Sequence, residues 1–366
     1  SPVVKGYVVK PNQDTQGDLV EADGSKVKAS TTDLTVDSPN QDLKVRYVPV
    51  GTWTPKVPEG ETPINPIPYP NDPTDPGKVV DPNKPTDPNE PNKPSVPVIP
   101  HIPGTTPKDP EGNPLKPVDP QDPSKGYVPP TPKTPTENTE IKYEKDTQKA
   151  TVKYVVEGTD TVLHKDELEG KSGAPIDYTT ATKLAELKAG GYELVTDGFT
   201  TATDKNYDNN PKVDQEFLVT VAKTVPVTPT TPQNPNEDPQ NPQPGDPINP
   251  ENPSGPKWTK EALDKLNNIK SVTRTITYIK DGTTEEVSPT EAPKWTDKVS
   301  FTRTVVVNPK DGSVVGYDTT GDGIADVAAT DTTSGWKAAG TAKFTEKTSP
   351  VVKGYVVKPN QDTQGD

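Results

Sequence analysis

Residues 299–323 read VSFTRTVVVNPKDGSVVGYDTTGDG. Val299 to Val307 is rich in β-branched and aromatic residues, and Asn-Pro-Lys-Asp-Gly at 308–312 supplies turn chemistry, so the stretch reads as a strand running into a turn. Upstream, Ser271 to Ile279 alternates Val272, Ile276 and Tyr278 with Thr273, Thr275 and Thr277, which predicts a sheet with one wetted face and a Lys280–Thr283 turn after it. Arg274 breaks that pattern on the apolar side; its stem is expected to pack while its charge reaches the sheet margin. A short helix is expected over Thr259 to Ile269, with Ala262, Leu266 and Ile269 on one face, and Trp295, Trp336 and Phe344 as aromatic core anchors.

Two further stretches have core-forming pattern. Residues 138–223 read as a small α+β domain: a strand over Ala150 to Val156, a helix over Thr179 to Gly191 with Ala181, Leu184 and Leu187 inward, and strands at Tyr192–Val195 and Phe217–Ala222. Residues 1–50 hold short strand patterns at Val3–Val8, Leu34–Val36 and Leu43–Val50, with a turn at Asp37–Asn40, and are too poor in large apolar residues to fold alone.

Between these lie proline tracts. Residues 51–136 contain 26 prolines in 86 residues, and 224–257 contain 11 in 34. Proline fixes φ, removes an amide donor and pushes the preceding residue to extended geometry. Both tracts are therefore expected to be polyproline II spacers, the first reaching on the order of 250 Å if extended. Repeated Asp-Pro and Asn-Pro steps without a fixed PxxP and basic flank read as stalk rather than as ligand for an SH3-like partner.

The opening SPVVKGYVVKPNQDTQGD, Ser1–Asp18, recurs unchanged as Ser349–Asp366. The expected organisation is one period of a tandem array. Residues 1–50 would be the closing strands of a preceding repeat, either poorly packed or mimicking strands missing at the C-terminus. Then come a spacer at 51–136, an α+β domain at 138–223, a second spacer at 224–257 and a β-rich domain over 258–366, truncated at its C-terminal end.

Composition removes whole classes of function. The formal charge is −14, which disfavours nucleic acid and anionic lipid as partners. There is no cysteine, hence no disulfide, thiolate nucleophile or thiolate zinc site. No apolar run is long enough to span a membrane, and no signal-like N-terminus is present. His101 sits in a proline tract and His164 in a charged segment, neither with a nucleophile beside it. Asp166 with Glu167, and Glu285 with Glu286, read as solvated faces, because adjacent strand residues point to opposite sides. The chain reads as a non-enzyme.

Asp318-Thr-Thr320-Gly-Asp322-Gly-Ile324-Ala-Asp326 places oxygen donors in the order that wraps calcium, with the Ile324 carbonyl as one ligand. Ala329 stands where an EF-hand has its bidentate glutamate. The alternative is an Asp-Gly hairpin loop facing water. No cofactor is required by this reading, with calcium as the one candidate. For carbohydrate recognition the exposed-aromatic candidates are Tyr192, Tyr207, Tyr317 and Trp336.

VTRTITYIKDGT, the 299–323 stretch, GWKAAGTAKFTEKTSPVVKGYVV and LKVRYVPV together resemble the larger subdomain of mucin-binding repeats from surface proteins of lactobacilli and related Gram-positive bacteria. ATVKYVV, GGYELVTDGF and VDQEFLVTVAK resemble the smaller subdomain, which in that family is a ubiquitin-like β-grasp. The resemblance implies a multidomain, mainly β chain joined by spacers. It also implies an extracellular, cell-wall-surface adhesin that holds mucin glycoprotein or its glycans by many weak contacts. A non-binding stalk and an immunoglobulin-binding module are the alternatives. Peptidoglycan anchoring would come through parts outside this segment. The long proline tracts and the missing anchor motif depart from the family pattern, and no catalytic residue is implied.

Overall fold

The computed structural model describes residues 1–10, 26–29, 33–84, 96–234 and 236–359. The strands are β1 (Tyr7–Val9), β2 (Tyr47–Pro49), β3 (Thr52–Lys56), β4 (Ile67–Pro68), β5 (Thr105–Lys108), β6 (Thr139–Lys145), β7 (Thr147–Val156) and β8 (Val162–Lys171). Helix α1 (Ala181–Ala189) is followed by β9 (Tyr192–Asp197), β10 (Gln215–Lys223) and β11 (Val225–Val227). After helix α2 (Lys260–Leu263) come β12 (Ile269–Ile276), β13 (Trp295–Thr302), β14 (Thr304–Val307), β15 (Val314–Asp318), β16 (Val327–Ala328) and β17 (Lys337–Ala338). The chain is mainly β with few helices, as expected. It divides into two compact units: Ser1–Val152 with Asp166–Asp177 and Thr203–Phe217, and Lys153–Lys165 with Tyr178–Ala202 and Leu218–Asp366.

The first proline tract departs from the extended-spacer expectation. It forms a sheet in the order β4-β3-β6-β5, with β3 parallel to β6 and β5 antiparallel to it. Trp53 is fully buried and Tyr69, Ile99, Ile141 and Tyr143 pack in the same cluster. The indole of Trp53 meets the Tyr69 ring edge-on at 4.7 Å and donates its N–H to the Pro130 carbonyl. Prolines are accommodated by position. β4 flanks only Thr52 and Trp53, so β3 is an open edge at Pro55, and Pro107 lies on the edge strand β5, where a missing amide breaks few ladder bonds.

The Asp-Pro steps are turns. The side chains of Asp72, Asp75, Asp81, Asp119 and Asp122 each accept from the backbone N–H two residues on, across an intervening proline, at 2.8–3.2 Å. Proline presets φ at the second turn position, and the aspartate replaces the acceptor that a backbone carbonyl would offer. What read as stalk reverses direction repeatedly. Residues 85–95 of the tract lie outside the described residues.

The second tract also folds. β11 pairs antiparallel with β14, extending a sheet in the order β11-β14-β15-β16. Ile248 is buried in the same cluster as Trp258, Leu266, Val305, Val307 and Tyr317. Asn249 makes the same side-chain turn across Pro250.

Among the described residues of 1–50, β1 and β2 are the only strands, in antiparallel register with Val8 opposite Val48. Leu34 and Val36 are exposed and in no strand, although Ser38 closes a turn onto Thr35. The β1–β2 ribbon does not float. The Gly6 amide donates to Asn71 Oδ1, Asn71 Nδ2 donates to the Tyr7 carbonyl, and the Val9 amide donates to the Pro76 carbonyl.

Residues 138–223 contain a sheet in the order β8-β7-β10-β9, with α1 falling between β8 and β9 in sequence. Leu184 and Leu187 are half-buried, but Ala181 is exposed, so the helix stripe is narrower than expected. Thr180 precedes α1 without capping it, because its hydroxyl donates to Asp197. Farther along, α2 is one turn long, capped by Thr259 accepting from the Ala262 amide. It ends early, with Asn267 at positive φ. The expected strand from Val299 to Val307 is two, broken at Arg303, and they serve different sheets, since β13 joins the order β12-β13-β17. Val272 is exposed, and the inward residue Arg274 stands opposite Asp297 and donates its Nε–H to it at 3.0 Å. Trp295, Trp336 and Phe344 are not the core: Lys347, Arg303 and Arg274 respectively lie over their rings.

Replacing Trp53→Ala should destabilise the chain by about 3–5 kcal/mol through loss of buried aromatic area and the cavity left behind. Urea unfolding followed by near-ultraviolet circular dichroism reads this; an extended spacer would leave the midpoint unchanged.

Candidate functional site

Each aromatic candidate takes its position from the sheet that bears it. Tyr207 is buried and lies against Gly170, where any β-carbon would collide with the phenol ring. Tyr317 on β15 is buried beneath Arg303, whose guanidinium carbon is 3.3 Å from the ring centroid. Neither presents a face to a sugar, which corrects the expectation for both. Trp336 is half-buried, with Arg303 at 4.6 Å and Lys270 Nζ at 4.4 Å from its ring centroid. Its faces are taken by cations. Tyr192, the first residue of β9, is the one of the four that is half-exposed without such a cover.

Arg303 is the keystone under two of these rings. Its side chain is fully buried, donates Nε–H to the Asn267 carbonyl at 3.0 Å and pairs with Asp331 at 3.5 Å. Its Nη2 meets no acceptor among the described residues. Burial pulls its pKa below the usual arginine value, partly offset by Tyr317 and Asp331. The break between β13 and β14 falls at this residue, so its side chain turns inward where the chain changes sheet.

The acidic loop is closed on itself. Asp318 Oδ1 accepts from the amides of Thr320 and Gly321, and Oδ2 from Gly323. Asp326 accepts from the Thr319 and Thr320 amides and from the Thr319 hydroxyl. Asp322 accepts from the Ile324 amide. Burial pushes the Asp318 carboxyl up, but the amides of Gly321, Gly323 and Thr320 outweigh it and hold the group below the usual carboxylate value; the same balance lowers Asp326. Backbone N–H groups thus occupy carboxylate lone pairs that a cation would need. Among the described residues, no three His, Cys, Asp or Glu side chains cluster in a way that would hold a metal ion.

Ile324, expected to offer its carbonyl, uses its side chain instead. It packs beside Gly191, where a β-carbon would approach Ile324 Cγ1 at 3.3 Å and Thr224 Oγ1 at 3.4 Å. Gly191 has φ +83°, and both the amide and the hydroxyl of Thr224 donate to its carbonyl. Beside this contact opens a cleft of about 400 Å³ bordered by Ala185, Lys188, Thr224, Asp326 and Val327. A second depression of about 220 Å³ shares Ala185 and Lys188 and adds Leu184, Tyr192, Leu194 and Val221. The last turns of α1 therefore stand between two shallow grooves, with apolar floors, a lysine, a carboxylate and a tyrosine. Lys188 Nζ lies 3.5 Å from Glu193. These residues offer stacking, hydrogen bonds and charge, and no paired acid and nucleophile. The one signal in the sequence was Gly190-Gly191 ending a helix directly before Tyr192; that Thr224, Ile324 and Val327 complete the surface depends on contacts made far along the chain.

Two family profiles match the chain: the one described as mucin binding domain over residues 148–223, and the one described as Muc B2-like domain over residues 263–364. Residues 148–223 and 263–364 are mucin-binding repeat domains. Among solved structures, the type 2 repeat of the mucus binding protein MUB from Lactobacillus reuteri is 24% identical with a TM-score of 0.22, covering 47% of this chain and 73% of that one. The crystal structure of Mub-RV is 24% identical with a TM-score of 0.21, covering 57% and 84%. No curated protein matches the chain. The α1 grooves take Tyr192 and Lys188 from the mucin binding domain, and Asp326 and Val327 from the Muc B2-like domain. Among the described residues no helix is long and apolar enough to cross a membrane.

Two outcomes test the electrostatics. A carboxylate whose folded pKa is lowered stabilises above its unfolded value and loses that contribution as pH falls through the folded value. Asp318→Asn should therefore be less stable than the parent near neutrality, with the gap closing below about pH 4, as read by urea midpoints across pH. Arg303→Ala should cost about 3 kcal/mol, whereas Arg303→Met, which keeps the packing without the charge, should recover most of it in the same assay.

Proposed function

We propose that this segment is an adhesive part of a Gram-positive surface protein, displayed outside the cell wall, whose repeat domains hold mucin glycoprotein through its glycans. The observation that carries the reading is the presence of two mucin-binding repeat domains in one chain. The strand order β8-β7-β10-β9 with a helix before β9 supports a β-grasp plan for the smaller one. The α1 grooves suit a sugar: Tyr192 offers a ring for stacking, while Lys188 offers a charged donor for hydroxyls or a carboxylate.

Affinity at any one such groove is expected to be weak, because the grooves are shallow and the chain's net charge of −14 repels sialylated or sulfated glycans. Several copies displayed together would raise the effective concentration and give adhesion from weak contacts. The reading involves binding and no reaction. Calcium is not required in it, a view supported by the backbone donors that fill Asp318 and Asp326.

Immobilised mucin should retain the chain saturably, and enzymatic removal of the glycans should abolish retention. Tyr192→Ala should weaken it about tenfold, the loss of one stacking contact worth roughly 1.4 kcal/mol. Retention should be equal in millimolar calcium and in chelator. Binding that survives deglycosylation would favour protein contacts of the immunoglobulin-binding kind, and absence of binding would favour a stalk.

A further inference from the structure

The larger cleft beside α1 has spent most of its own hydrogen-bonding capacity. Both donors of Thr224, amide and hydroxyl, go to the Gly191 carbonyl, at 2.8 and 3.0 Å. Asp326 accepts from the amides of Thr319 and Thr320 and from the Thr319 hydroxyl, and its own amide donates to the Tyr317 carbonyl at 3.1 Å. Much of the remaining wall is apolar and built of small side chains: Ala185 and Ala189 from α1, Val315 and Val327 from β15 and β16, and Ala325 between those strands. Among the described lining residues, Lys188 alone has side-chain donors to spare, because its ammonium carries three N–H bonds and meets the one carboxylate of Glu193, at 3.5 Å.

This accounting selects what can enter. A hydroxyl pressed against the alanine and valine wall would lose its water and find no partner, whereas a methyl group gains by burial there. Charge selects further. Lys188 is matched by Glu193, and desolvation pushes the Asp326 carboxyl up but the Thr319 and Thr320 donors hold it below the usual carboxylate value, so it stays ionised. The cleft therefore has no uncompensated cation for a sugar carboxylate or sulfate, and the chain's net charge of −14 acts in the same direction. Resting on the glycan-binding reading above, we propose that this cleft is a subsite for the acetamido group of a neutral 2-acetamido sugar: its methyl packs on Ala185, Ala189 and Val327, and the Lys188 ammonium donates to its carbonyl oxygen. An acetamido group joins one methyl to one strong acceptor on a short uncharged arm, which matches one apolar wall and one spare donor. The methyl of a 6-deoxy sugar would use the wall and leave Lys188 unmatched. An N-acetyl group on an acidic sugar would bring a carboxylate towards Asp326 and Glu193.

Methyl-labelled full chain, titrated with N-acetylglucosamine and N-acetylgalactosamine, should show the Ala185, Ala189 and Val327 resonances moving. Glucose and galactose should need about tenfold higher concentrations for the same shift, the discrimination that one apolar group in a matching pocket provides, and N-acetylneuraminic acid should be weaker than either acetamido sugar. Ala189→Leu, which fills the larger cleft and does not border the second depression, should erase the preference for acetamido over plain sugar. The proposal is overturned by equal shifts from plain and acetamido sugars, by no shift at these methyls with any sugar, by tighter binding of N-acetylneuraminic acid, or by a preference that survives Ala189→Leu. Shifts produced more readily by deglycosylated mucin polypeptide than by any sugar would also sink it, and would mark the cleft as a seat for apolar peptide side chains. Failure of the underlying reading looks different: intact mucin would then not retain the chain, whereas glycan-dependent retention without acetamido preference removes the subsite alone.

Discussion

Backbone hydrogen bonding is rationed in this protein. Forty-eight prolines each remove an amide donor, and a chain so depleted cannot lay down continuous ladders. The fold answers with very short strands, open edges placed at prolines, and aspartate or asparagine side chains that accept from the amide beyond a proline. Those turns fold the tract around Trp53, and the second tract supplies β11 to the sheet of the Muc B2-like domain. Burial of a few large side chains, Trp53 and Tyr69 in one unit and Trp258, Leu266 and Tyr317 in the other, then does what a dense core does elsewhere.

Cations take a part that apolar side chains usually fill. Arg303 lies between Tyr317 and Trp336, Arg274 beneath Phe344, and Lys347 over Trp295. Each ring carries a charged group over its face, an arrangement favoured by the ring quadrupole. The aromatic count of the C-terminal domain therefore overstates the number of bare rings it presents to solvent.

Much of the local structure was legible. The Ala150–Val156 strand, the Asn308–Gly312 turn, the helix ending at Gly190 and the strand runs around Val299 follow from period and turn chemistry, and the family resemblance rested on those same motifs. Proline-rich composition misled, because it specifies what backbone is forbidden and is silent on whether an Asp-Pro step stays extended or closes a turn. The site was less legible still. Tyr192, Tyr207 and Tyr317 look alike in sequence and differ in what covers them: Tyr207 and Tyr317 are buried, and Tyr192 is half-exposed. The acidic loop has the donor order of a cation site, yet its amides reach the carboxylates first.

The repeated segment separates the two kinds of determination. Its turn, from Val4 to Tyr7 and from Val352 to Tyr355, forms in both places because glycine at positive φ and one short-range hydrogen bond suffice. Whether the next three residues become a strand is not in those letters. A strand is a relation between two segments, and its amides and carbonyls need a partner at hydrogen-bonding distance. Tyr47–Pro49 and the Pro76 carbonyl provide one for Val8 and Val9; Val356 and Val357, the same residues, face solvent.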